Sequence, residues 1–181
     1  MRLIVVLSLL ISYAATGQTF TDIAGAQNVN SVQYAPQHYA NGMSFYDFDE
    51  DGWDDLTYPM NNDSIAFYRN VNGNFVQIPS MVYAPGEVRQ MCWVDYDDDG
   101  DLDFCVTFDD IGIRLYQNDG AFNLTDVTAA ANLSVLPFTG YGFSFADIDT
   151  DGDLDLYVAI YESTASTSSP IPNMFYENQG N

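Results

Sequence analysis

Apolar positions along this chain come in short bursts, and no stretch sustains the three-to-four-residue spacing that a helix needs. Residues 129–133 could make one helical turn at most. The bursts Leu56-Thr57-Tyr58, Phe104-Cys105-Val106 and Leu156-Tyr157-Val158 have the composition of strands. Each follows an acidic segment, and each acidic segment follows a small residue, an aromatic one and a spacer: Ser44-Phe45-Tyr46, Cys92-Trp93-Val94 and Ser144-Phe145-Ala146. Further on comes a second motif, with tyrosine and asparagine two apart: Phe67-Tyr68-Arg69-Asn70, Leu115-Tyr116-Gln117-Asn118 and Phe175-Tyr176-Glu177-Asn178. Asn72-Gly73-Asn74 and Asp119-Gly120 then offer turns, because Asn and Gly accept positive φ. The unit is about four short strands in roughly 50 residues, which predicts an all-β fold of propeller-like blades.

The acidic segments are one nine-residue pattern, Asp-x-Asp-x-Asp-Gly-x-x-Asp, at residues 47–55, 95–103 and 147–155. Calcium takes six to eight oxygen ligands, and a loop with carboxylates at alternate positions, a backbone carbonyl and a closing carboxylate can wrap it. Glycine at the sixth position allows the sharp turn. In the helix-flanked EF-hand loop the closing acid stands at position 12. Here it stands at position 9 and strand residues follow, so each loop is predicted at the tip of a β-hairpin. A merely solvated acidic turn fits poorly. Carboxylates about 4 Å apart repel by roughly 1–4 kcal/mol per pair, and residue identity repeats at fixed offsets.

The repeat also accounts for the charge. The formal net charge is −22, and the three loops hold six, six and five of the 26 acidic residues. Four arginines and no lysine leave no basic patch, which argues against nucleic-acid binding and against anionic membranes unless calcium bridges. The second motif begins 20, 20 and 28 residues after its loop, and the added length falls in the Ser/Thr/Pro-rich residues 162–173, read as a surface insertion. Thr21-Asp22-Ile23 echoes Thr125-Asp126-Val127, so the end of a unit already stands before the first loop.

Residues 1–17 have the form of a secretory signal peptide: Arg2, an apolar run from Leu3 to Ile11, and Ala15-Thr16-Gly17 for cleavage. The apolar run is short for a membrane span. The domain reading is a signal peptide at 1–17 and a repeat region at 18–181, secreted or at the cell surface. No transmembrane span remains after cleavage.

With loops and second motifs together, the chain resembles the FG-GAP/VCBS repeats. These build the β-propellers of integrin α-subunit heads and of secreted relatives of cartilage acidic protein. The resemblance covers roughly residues 20–181. It implies about three Ca²⁺ ions, one per loop. The first would be held by Asp47, Asp49, Asp51, Asp55 and the Trp53 carbonyl. The second would be held by Asp95, Asp97, Asp99, Asp103 and the Asp101 carbonyl, and the third by Asp147, Asp149, Asp151, Asp155 and the Asp153 carbonyl. Glu50, Asp54 and Asp98 occupy non-ligand positions.

Two departures from the pattern stand out. Gly42 and Gly142 stand five residues before their loops, where the second unit has Gln90. Propellers of this family also have about seven blades, so three form a partial propeller. Such a segment would expose strand edges and an aromatic face, and calls for a partner or further blades to complete the ring.

The resemblance implies a structural calcium and an adhesion, recognition or scaffolding role toward an extracellular protein or glycan, without catalysis. The alternative is the N-terminal part of a secreted carbohydrate-active enzyme, such as a polysaccharide lyase. That needs basic or histidine groups which three further arginines and His38 scarcely supply. His38 alone makes a poor zinc site. Cys92 and Cys105 either bridge paired strands or fill small buried positions. Most aromatics are expected inside the fold, and Tyr58 or Tyr83 would suit sugar stacking if exposed. Glycosylation sequons begin at Asn62, Asn123 and Asn132.

Overall fold

The computed structural model describes residues 19–29, 42–60, 64–83, 86–133, 135, 137–161 and 171–180. The 1–17 leader, His38 and most of the 162–173 insertion lie outside them. The described residues contain strands and turns and no helix, so the all-β expectation holds.

Three antiparallel sheets follow one another along the chain. Blade 1 has the order β1 (Ser44–Tyr46), β2 (Asp55–Met60), β3 (Ser64–Val71) and β4 (Asn74–Ile78). Blade 2 is β5 (Val88–Val94), β6 (Asp103–Phe108), β7 (Gly112–Gln117) and β8 (Thr125–Asp126). Blade 3 is β9 (Gly140–Ala146), β10 (Asp155–Ile160) and β11 (Met174–Tyr176). This is a partial β-propeller. Each acidic loop joins the first two strands of its blade, as expected. The last paired residues are Tyr46 with Asp55, Val94 with Asp103 and Ala146 with Asp155.

Register gives each blade two unlike faces, because side chains alternate along a strand. One face carries the rows Phe45–Leu56–Tyr68, Trp93–Phe104–Tyr116 and Phe145–Leu156–Tyr176. The other carries Ser44–Thr57–Phe67, Cys92–Cys105–Leu115 and Ser144–Tyr157–Phe175. Blades stack unlike face to unlike face. Phe67 of blade 1 meets Trp93 and Phe104 of blade 2, and Leu115 of blade 2 shares a cluster with Leu156 and Val158 of blade 3. Sequestering one such side chain stabilises by roughly 1.5–3 kcal/mol, so the inter-blade layers dominate the packing. Phe67 and Leu115 are 0% and 3% exposed, whereas their blade 3 counterpart Phe175 is 53% exposed and Tyr157 beside it 44%. The aromatic face expected of a partial propeller is therefore the far face of blade 3.

The other end of the stack is covered. Val29 packs on Leu56, Tyr58, Ala66 and Tyr68 of blade 1, as Leu133 packs with Leu156 and Val158 of blade 3. The two segments fold alike. Asp22 and Asp126 each accept the backbone N–H two residues on, and Gln27→Ile23 and Val29→Ala24 bonds match Ala131→Val127 and Leu133→Thr128. Asn28 and Asn132 both have positive φ. The echo of Thr21-Asp22-Ile23 in Thr125-Asp126-Val127 is thus a shared turn that ends one unit and seats it on the next blade. The single helical turn allowed at 129–133 is this turn.

Gln90 explains its departure from glycine. A Cβ on Gly42 would lie 2.6 Å from the Gln90 Cα, so glycine in blade 1 lets the blade 2 backbone approach. The Gln90 side chain then spans to blade 3. Its Nε2 donates to the Phe143 carbonyl and its Oε1 accepts the Phe143 N–H, both at 2.9 Å.

Candidate metal-binding loops

The three loops share a backbone. The sixth-position glycines have φ of 93°, 92° and 104° at Gly52, Gly100 and Gly152. The fourth positions, Glu50, Asp98 and Thr150, are also left-handed, at 57°, 56° and 67°. The loop therefore turns through two positive-φ residues, of which the sequence advertises only the glycine. The first Asp fixes the turn by accepting two backbone N–H groups. Asp47 takes those of Asp51 and Gly52, Asp95 those of Asp99 and Gly100, and Asp147 those of Thr150 and Gly152. The fifth Asp accepts from the seventh residue's N–H, as in Asp51 with Trp53, Asp99 with Asp101 and Asp151 with Asp153.

The ninth Asp ties the loop to the sheet. Asp55, Asp103 and Asp155 are 1%, 0% and 2% exposed. One oxygen of each accepts the N–H of the second loop residue, Phe48, Tyr96 or Ile148. The other accepts the N–H of Asn70, Asn118 or Asn178 at 2.7, 2.8 and 2.8 Å. The same asparagines donate their side-chain amides to the carbonyls of Asp54, Leu102 and Leu154. The Tyr-x-Asn motif is therefore the clasp of the loop.

Carboxylate oxygens converge within 4.8 Å for Asp47, Asp49 and Asp55, for Asp95, Asp97 and Asp99, and for Asp147, Asp149 and Asp155. Asp51, Asp103 and Asp151 stand outside those groups. Each group holds three acids, and among the described residues the counter-cation found beside one of them is Arg69, 3.1 Å from one Asp49 oxygen. The remaining Asp49 oxygen, Oδ1, is buried without a hydrogen-bond partner, and so is Oδ1 of Asp97. Gln117 supplies the other Asp97 oxygen at 2.7 Å. An orphaned, buried carboxylate oxygen is costly, and an oxygen-seeking cation would satisfy it.

Electrostatics agree. Burial pushes Asp55 up to about 6 and Asp103 up to about 7, against their backbone donors. Burial and then the Asp99 charge raise Asp97. A divalent cation inverts that logic by favouring the ionised form. The residues present fit such an ion.

The pattern that defines the FG-GAP-like repeat matches residues 47–106 and again 95–158, together more than half of the chain. The chain belongs to the FG-GAP-like repeat family. No curated protein matches it.

Read as FG-GAP units, several other residues find their places. Tyr58, expected as a possible exposed platform, is 7% exposed and stacks on Tyr68 at 5.5 Å. It sits on the blade face that Val29 covers. Tyr83 is 68% exposed, as its place in a connecting loop allows. Cys92 and Cys105 are register partners with free thiols, and burial pushes the Cys92 thiol up to about 12. They occupy the small-residue row that Ser44 and Thr57 occupy in blade 1. Asn123 is exposed and donates to Asp119 at 2.8 Å. The other two sequons fall partly outside the described residues. Among the described residues no helix is long and apolar enough to cross a membrane.

Proposed function

We propose that this chain is a calcium-binding FG-GAP propeller segment, secreted or displayed at the cell surface, with an adhesion, recognition or scaffolding role. Calcium is structural. About three ions, one per loop, draw the acids of each loop together, with the Trp53, Asp101 and Asp153 carbonyls completing the shells. The observation that carries this reading is the pair of buried, partnerless oxygens on Asp49 and Asp97, each aligned with two further carboxylates. Export, read from the 1–17 leader, supplies the calcium. A loop of dissociation constant about 10⁻⁴ M in roughly 2 mM calcium gains about 1.8 kcal/mol per ion by mass action.

Thermal melting in calcium and in chelator tests it. Three such ions amount to about 5 kcal/mol, or a rise of roughly 10–20 °C in Tm. Terbium luminescence should titrate three ions in the parent chain and two in Asp97→Asn. A Tm indifferent to chelation refutes the reading. A glycan and protein-array screen of the calcium-loaded chain addresses the adhesive role separately.

A further inference from the structure

The three loops share a ligand pattern but differ in the residue that stands beside it. The middle position of the Tyr-x-Asn clasp is Arg69 in blade 1, Gln117 in blade 2 and Glu177 in blade 3. Each follows the tyrosine that pairs with Leu56, Phe104 or Leu156, so each lies across the ladder from the ninth Asp of its loop. The Arg69 Nε lies 3.1 Å from Asp49 Oδ2, and the Gln117 amide donates to Asp97 Oδ2 at 2.7 Å. The third acid of the pattern is therefore met by a full positive charge in loop 1 and by a neutral donor in loop 2. In blade 3 the position is itself acidic, and Glu177 accepts from Gln179 at 2.9 Å.

Arg69 is held in place from the next blade. Its guanidinium lies 4.9 Å from the Phe122 ring, a cation–π contact supplied by blade 2. Phe122 stands edge-on to Phe48 at 5.8 Å, and its N–H donates to the Asn118 side chain at 3.0 Å. The Asp49 side chain is 9% exposed and its Oδ1 has no hydrogen-bond partner, so loop 1 still presents a buried oxygen to a cation. What differs is the charge that the cation meets. Loops 1 and 2 each hold six acids, and in loop 1 the guanidinium cancels one of them. It repels an incoming divalent ion and competes with it for Asp49.

We infer that Arg69 is a built-in competitor for the loop 1 cation. Given the calcium reading above, loop 1 is the weak site, and loops 2 and 3 fill first. At calcium levels that fill those two alone, the guanidinium neutralises Asp49 in place of the ion, and loop 1 stays ordered without metal. Arg69 is 38% exposed. Water therefore screens its charge, which sets the expected difference at about tenfold and not at many powers of ten.

Trp53 supplies a reporter, since it is the seventh residue of loop 1 and is exposed, whereas Trp93 is buried in the core. Calorimetric titration of calcium into the full chain, first stripped with chelator, should show two tight ions and a third bound about tenfold more weakly. Tryptophan emission should change with the third ion, and Trp53→Phe should remove that signal. Arg69→Gln places in blade 1 the residue of blade 2, and should move the Trp53 midpoint about tenfold toward lower calcium. Arg69→Lys keeps the charge and should hold the midpoint within about threefold of the parent. Gln117→Arg leaves the Phe122 contact untouched and should move one tight ion into the weak class. Three ions bound with one common affinity in the parent would overturn the inference while calcium binding stands. So would a Trp53 midpoint that Arg69→Gln leaves in place, an Arg69→Lys midpoint that follows Arg69→Gln, or two tight ions retained in Gln117→Arg. A parent chain that takes up no calcium overturns this inference and the calcium reading together.

Discussion

Gln90 is the residue whose loss should report most directly on how the blades are held together. In Gln90→Ala the Phe143 N–H and carbonyl both lose a partner at 2.9 Å. Each bond is worth about 1 kcal/mol net, and more where the stranded group cannot reach water. The site is half-buried, so the expected cost is about 2 kcal/mol. For a domain of this size that lowers Tm by roughly 4–8 °C. Gln77→Ala, at an exposed glutamine whose described hydrogen bonds stay on blade 1, with Tyr68 and Met60, is the control and should cost less than about 1 kcal/mol.

The neighbouring glycines sharpen the test. A Cβ on Gly142 would press on the Gln90 Oε1 at 3.0 Å, so Gly142→Ala should be partly relieved in the Gln90→Ala background. A Cβ on Gly42 would press on the Gln90 Cα and the Arg89 carbonyl oxygen, which no side-chain truncation removes. Gly42→Ala should therefore cost about 1–3 kcal/mol in either background. Urea denaturation of the four single and two double variants measures all of this. A Gln90→Ala Tm within about 1 °C of the parent would refute the assignment of Gln90 as the inter-blade bridge.

Three further outcomes follow from the loops and the thiols. Asp55 and Asp103 titrate near 6 and 7 in the folded chain, above the ordinary aspartate value of about 4. A raised folded pKa gives stability that is fully present below the unfolded pKa and lost as pH rises through the folded one. In chelator, then, Tm should fall between about pH 4 and pH 7, and a Tm that rose across that window would contradict the burial argument. Thr150 holds a φ of 67° that a β-branched residue adopts under strain, so Thr150→Asn should raise the urea midpoint by about 0.5–1 kcal/mol equivalent. Cys105 is buried and Cys92 partly buried, and burial pushes both thiols upward, so Cys105 should react with a thiol reagent only at the rate of global unfolding, and fast labelling of Cys105 in the native chain would show the β5–β6 hairpin opening.

The loops were legible because their chemistry is local. Alternate aspartates, a glycine at a fixed offset and strand residues on both sides dictate a hairpin tip whatever surrounds it. The strands themselves were legible, and their register then sets the rows, since period-two alternation decides which side chains share a face. What the chain did not advertise was every feature that depends on a second blade. Gln90 read as a departure because its partners, Phe143 and Gly42, lie 53 and 48 residues away. Tyr58 read as a candidate platform because nothing local says that residue 29 folds over it. The positive φ at Glu50, Asp98 and Thr150 left no mark, because three different residue types fill that place.

The two ends of the stack differ in a way that bears on what the segment can join. On blade 1 the row Leu56–Tyr68 is closed by a turn that repeats, bond for bond, the turn closing blade 3 against blade 2. On blade 3 the row Tyr157–Phe175 is open where Thr57–Phe67 and Cys105–Leu115 are shut. A further blade, whichever polypeptide carries it, would therefore be received at the blade 3 end, and it would bring an aromatic–apolar–tyrosine row like Trp93–Phe104–Tyr116 or Phe145–Leu156–Tyr176. Among the described residues, the two inter-blade hydrophobic clusters join those two unlike faces. Addition at the blade 1 end would first have to displace Val29 from its seat.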